Sequence, residues 1–109
     1  MVILTRILKF ETDGRDIDIP IKIYVPVDKQ DHWQCEYEIV WPNAVRSSKA
    51  CGIDSVQSLL LAMHKIGAEI YTSEAHRSGK LKWHRRGGGY GFPVPPGIRD
   101  LYEADDTSM

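Results

Sequence analysis

Apolar and polar positions follow a period of two over the first half of the chain and a period near 3.6 over the stretch after residue 54. Val2 to Phe10 is a β-branched and aliphatic run without a helix cap. It is closed by Thr12-Asp13-Gly14-Arg15, and an Asp-Gly pair between two apolar runs predicts a hairpin. Alternation is then strict. Ile17, Ile19, Ile21, Ile23, Val25 and Val27 take one face, and Asp18, Pro20, Lys22, Tyr24 and Pro26 the other. The two prolines are an even number of residues apart, so both missing amides point to the same side of the strand. That side is a sheet edge, or pairing there is confined to the middle. Asp28 to His32 is a polar loop, after which Trp33, Cys35, Tyr37, Ile39 and Trp41 form the inward face of a third strand. Pro42-Asn43 breaks it, and Val45 to Cys51 is a candidate fourth strand.

The change of period marks a helix. Asp54 and Gln57 have the spacing of a capping box, in which the carboxylate accepts from the third amide and the glutamine reaches back to the N–H of the cap. Val56, Leu59, Leu60, Met63, Ile66, Gly67, Ile70 and Tyr71 then fall on a stripe about 140° wide, with Gln57, Ser58, Lys65, Glu69 and Thr72 opposite. Gly67, inside the stripe, reads as a close contact with the sheet. Leu61 projects from the polar side, either as an isolated exposed leucine or as a partner-facing residue. Ser78-Gly79 ends the helical signal, and Lys80 to His84 is a brief strand with Leu81 and Trp83 inward. From Arg85 to Gly97 the chain holds five of its nine glycines and a Pro-x-Pro-Pro run, which predicts a flap without regular structure.

These elements predict an α+β fold: two layers, with an antiparallel meander sheet of four to five strands packed on one long helix. Residues 1–102 form one domain that includes the 85–97 flap, and 103–109 form a frayed acidic tail. Trp33-x-Cys35-x-Tyr37-x-Ile39 on a strand, Gly52-Ile53-Asp54-Ser55-Val56-Gln57-Ser58-Leu59 opening a helix, and Leu81-x-Trp83 followed by Gly91-Phe92-Pro93 resemble a small uncharacterised bacterial domain family. The resemblance runs from about Leu4 to Pro93. It implies a single small domain of bacterial type and transfers no catalytic or binding residue.

Composition adds one asymmetry to an ordinary profile. With 14 basic and 15 acidic residues the formal net charge is −1, yet Arg77, Lys80, Lys82, Arg85, Arg86 and Arg99 lie in a stretch without any acid between His76 and Arg99. Cations beside Tyr90 and Phe92 on a glycine-rich backbone have the composition to contact phosphates and stack on bases. The run lacks the Gly-Lys-Ser/Thr ending of a P-loop. A third possibility is a pocket beneath the flap that serves a small ligand or an enzymatic reaction.

Other chemistry is poorly supported. Cys35 and Cys51 are too few for a disulfide framework, and His32-x-x-Cys35 is the closest ligand pair, so neither metal nor cofactor is expected. Asp16/Asp18 and Glu36/Glu38 are pairs on strand faces, where solvation is expected. Neither a bilayer-length apolar stretch nor a leader pattern is found, so the expected location is cytoplasmic. The first expectation for function is a non-catalytic interaction domain, accessory or immunity-like, whose partner is another protein met by Asp18, Tyr24, Glu36, Glu38 and Leu61. The alternative is a nucleic-acid-binding module acting through 77–92.

Overall fold

The computed structural model describes residues 1–85 and 87–94. In chain order they form β1 (Val2–Thr12), β2 (Arg15–Tyr24), β3 (Val27–Asp28), β4 (Trp33–Trp41), β5 (Ala44–Gly52), α1 (Ser55–Tyr71), α2 (Glu74–Arg77) and β6 (Leu81–Lys82). The fold is α+β, with a six-stranded antiparallel sheet, one main helix and one short one. That is one strand more than the pattern predicts, because β3 is a separate two-residue ladder. Arg86, the 95–97 end of the predicted flap, Arg99 and the predicted tail lie outside the described residues.

The β1–β2 hairpin turns on Asp13 and Gly14, both at positive φ (51° and 76°), the conformation that lets a two-residue loop follow the strand twist. Val25 donates to the Met1 carbonyl, so odd-numbered residues of β2 address β1 and even-numbered ones, including Pro20, address β4. Pairing with β4 is accordingly restricted to Ile21–Ile23. After Pro26 it resumes through β3, opposite Gln34 and Trp33. Confinement to the middle is thus the outcome of the two prolines, since β2 lies inside the sheet. β5 pairs along the whole of β4, and β6 returns to the far side of β1, opposite Lys9 and Phe10.

One face of the sheet holds the core: Leu8, Ile19, Ile21, Ile23, Cys35, Tyr37 and Ile39. Helix α1 covers only part of it, packing on β4 and β5. Asp54 caps the helix by accepting from the Gln57 amide at 2.8 Å, and the Gln57 side chain accepts from the amide of Ile53 (2.7 Å), one residue earlier than the box pattern predicts. The buried line is Ser58, Ala62, Ile66 and Ile70, while Val56 is 72% and Leu60 43% exposed. This corrects the predicted stripe. Large apolar side chains mark amphipathicity, but close approach selects small ones: a Cβ on Gly52 would stand 2.6 Å from the Ser58 amide nitrogen. Ser58 is tolerated there because its hydroxyl donates to the Ser55 carbonyl at 3.0 Å.

The other part of the core face is covered by the glycine-rich segment. Tyr90, Phe92 and Val94 are each only 4% exposed. Arg6 projects from β1 onto this face, its guanidinium 4.1 Å from the Trp83 ring and 4.9 Å from that of Phe92, and it donates to the carbonyls of Tyr90 (3.1 Å) and Gly91 (2.8 Å). Gly91 has φ 78°, and a Cβ there would meet the Arg6 guanidinium and the Trp83 ring at 2.5 Å. Gly67 is likewise a close-contact position, but its neighbour is not the sheet. A Cβ would lie 2.6 Å from the Pro93 carbonyl oxygen of the returning segment. Tyr90 completes an aromatic cluster with Tyr71, and its hydroxyl lies 2.6 Å from His76 Nδ1.

Candidate partner-binding edge and groove

The strand register shows which backbone groups of the sheet are left over. Even-numbered residues of β2 address β4, and Lys22 is opposite Glu38, so even-numbered residues of β4 turn toward β2 and odd-numbered ones toward β5. Tyr37 is opposite Ser48 and Cys35 opposite Ala50, so even-numbered residues of β5 complete the ladder with β4. Val45, Ser47, Lys49 and Cys51 therefore aim their N–H and C=O groups away from the sheet. Among the described residues no strand pairs with that side of β5. Lys65 of α1 reaches over the edge and donates to the Lys49 carbonyl at 2.5 Å and to the Ser48 hydroxyl at 3.3 Å. No proline or bulge interrupts the nine residues, so β5 lacks the devices that usually blunt an edge strand, apart from its charges.

Beside this edge runs a groove of about 780 Å³ between β5 and α1, lined by Ser48, Lys49, Ala50, Cys51, Leu61, His64 and Lys65. Leu61 is exposed into it. A polar network ties α1 to both β4 and β5. The Tyr37 hydroxyl donates to the Glu69 carboxylate, and Arg46 Nε donates to the same carboxylate at 2.6 Å. Burial, and then the bond to Glu69, push the Tyr37 phenol up to about 12. The Glu69 bond also raises the pKa of Arg46. Both partners are thereby kept in the states that bond, neutral phenol and charged guanidinium.

The residues expected to form a nucleic-acid surface are dispersed. Tyr90 and Phe92 are in the core, so neither presents a face to a base. Arg77 donates to Glu74 and to the Thr72 carbonyl, Lys82 pairs with Asp16 at 3.2 Å, and Lys80 and Arg85 are exposed. The outer face of the sheet is not uniformly acidic. Asp18 pairs with Lys9, Glu38 accepts from Tyr24 at 2.7 Å and stands opposite Lys22, and Glu36 accepts from Gln34 at 3.1 Å opposite Lys49. The Glu38 bond raises the Tyr24 pKa. Of the five residues expected on a partner face, Leu61 alone lines the groove.

Two other concavities are present. One of about 490 Å³, between α2 and the β4–β5 turn, is floored by Phe10 and Trp41. The other, beside the glycine-rich segment, measures about 140 Å³, below the range usual for small-molecule sites. Among the described residues no group of three or more histidine, cysteine or acidic side chains is placed to hold a metal ion. No helix there is long and apolar enough to cross a membrane.

A family model described as "Domain of unknown function (DUF6968)" matches residues 4–94. The chain belongs to the DUF6968 family. No curated protein and no solved structure matches it. The DUF6968 match extends through the glycine-rich segment as far as Val94, in keeping with that segment's place in the core. Sequence reasoning found Leu61 but missed Lys49, His64 and Lys65 as its neighbours in this DUF6968 chain. Parity places Ser48 and Ala50 on the helix side of β5 and Lys49 on the open face, but it does not show which helix residues lie beside them.

Proposed function

We propose that this DUF6968 chain is a small non-catalytic interaction domain that takes a protein partner by adding an extended segment to β5. The reading extends to an accessory or immunity-like role of bacterial type in the cytoplasm. The observation that carries it is the outward edge of β5, free of proline and bulge, with its Lys49 carbonyl held by Lys65, beside a groove lined by Ala50, Cys51 and Leu61. In such binding the main-chain hydrogen bonds supply affinity, and pockets beside the edge select alternate side chains.

The test is affinity capture on the parent chain and on two variants, Ser47→Pro, which removes an outward amide while leaving the β4 ladder intact, and Leu61→Lys, which charges the groove. A protein bound by the parent after nuclease treatment and lost by both folded variants is the expected result. Equal retention by all three, or loss of all bound material with nuclease, overturns the reading, and the latter outcome points to nucleic acid.

A further inference from the structure

We infer that the segment accepted by β5 alternates apolar with acidic residues and comes from a different chain, not from a second copy of this one. The inference rests on strand addition at β5 and specifies what is added. Two lysines line the edge, Lys49 and Lys65, and among the described residues neither is within ion-pair distance of a carboxylate. Glu36, directly opposite Lys49 on the open face, accepts from the Gln34 amide at 3.1 Å. Lys65 touches the Ser48 hydroxyl, the Lys49 carbonyl and, at 6.0 Å, the face of the Tyr37 ring. The one acid on the helix side of the edge, Glu69, is shared by Arg46 and Tyr37. β5 itself carries Arg46 and Lys49 and no acidic residue.

Side chains of an added strand would alternate between two environments. Those beside Ser48 and Ala50 enter the groove with Leu61, where an apolar side chain is favoured and the polar helix neighbours are His64 and Lys65. Those beside Lys49 lie on the open face, where an acidic side chain meets its charge. A second copy fits poorly. An antiparallel β5–β5 pairing at full overlap has its two-fold axis at Ser48, which sets each Lys49 diagonal to its mate and draws the two Lys65 side chains together. Like charges so placed oppose pairing. Lys65 would also leave the Lys49 carbonyl when an incoming amide takes it, and an acidic neighbour gives the freed ammonium a new partner.

The experiment measures fluorescence anisotropy of labelled peptides as long as β5, nine residues, in which valine alternates with glutamate, serine or lysine. The glutamate peptide is expected to bind about five- to tenfold tighter than the serine peptide, the effect of two exposed ion pairs. That advantage should shrink in about 0.5 M salt and in Lys49→Ala and Lys65→Ala, the lysine peptide should not bind, and Ser47→Pro should abolish binding. Equal affinity for the glutamate and serine peptides, with both lost in Ser47→Pro, overturns the charge inference and leaves strand addition standing. Failure of every peptide to bind, or binding unaffected by Ser47→Pro, overturns strand addition itself. A concentration-dependent dimer in sedimentation velocity that Ser47→Pro dissociates overturns the assignment to a different chain.

Discussion

Tyr37 shows how one side chain can belong to the core and to a polar network at once. Its ring is fully buried, while its hydroxyl reaches the Glu69 carboxylate of α1. Because its pKa stands at about 12 in the folded chain against the ordinary 10.0, the neutral phenol contributes stability that is fully present below pH 10 and is lost as pH rises from there toward 12. The melting temperature of the parent should therefore fall more steeply across that window than that of Tyr37→Phe. At neutral pH the substitution should cost about 1 kcal/mol, the net value of the lost hydrogen bond, as measured by chemical denaturation. Tyr37 was recognisable as inward-facing from alternation alone. Its partner was not, because Glu69 lies 32 residues later and its place over β4 depends on the packing of the helix. Arg6 was hidden for a similar reason. It sits in an aliphatic run, and the carbonyls that make its place on the core face tolerable belong to residues 84 and 85 positions further on.

Among the elements, α1 was the easiest to predict and the easiest to rotate wrongly. The cap located its first residue, while the helical signal read as far as Ser78-Gly79 divides into α1 and the short α2, and weighing positions by side-chain size turned the face of α1 toward Val56 and Leu60, away from the small line of Ser58 and Ala62. Two substitutions test the observed orientation. Gly67→Ala would gain about 1 kcal/mol from helix propensity alone, yet the new Cβ meets the Pro93 carbonyl oxygen at 2.6 Å, so thermal unfolding should show a net loss. Val56→Lys, at a position the predicted stripe would have buried, should change stability by less than about 0.5 kcal/mol, as surface substitutions do. The β strands were read more accurately than the helix face because a period of two fixes the inward set without reference to size, though it ran too far: Val25 and Val27, predicted inward, are exposed beyond the end of β2. Their order followed less directly: β6 is too short for its pattern to show that it returns to β1.

At the scale of the whole molecule, the sheet has two covers of different kinds, a helix over β4 and β5 and an irregular segment over β1 and β2. A glycine-rich run predicts freedom, and here that expectation failed at Gly91, where positive φ and missing side-chain volume allow the backbone to fit between Arg6 and Trp83. Phe92 then behaves as a core residue. Phe92→Ala should cost about 3 to 5 kcal/mol in chemical denaturation, the range for deleting a buried phenylalanine; a loop residue would show a fraction of that.

The clasp of Arg6 on the Tyr90 and Gly91 carbonyls also sets an order of events during synthesis. β1 and β2 emerge from the ribosome before residues 90–94 and can form their hairpin locally, whereas the carbonyls that Arg6 holds are translated 84 and 85 residues after it. Until then the part of the core that Tyr90, Phe92 and Val94 complete is open to water and to other nascent chains. That closure joins residues 84 and 85 positions apart, so folding should be slow relative to the local hairpin and sensitive to conditions that favour aggregation of incomplete chains.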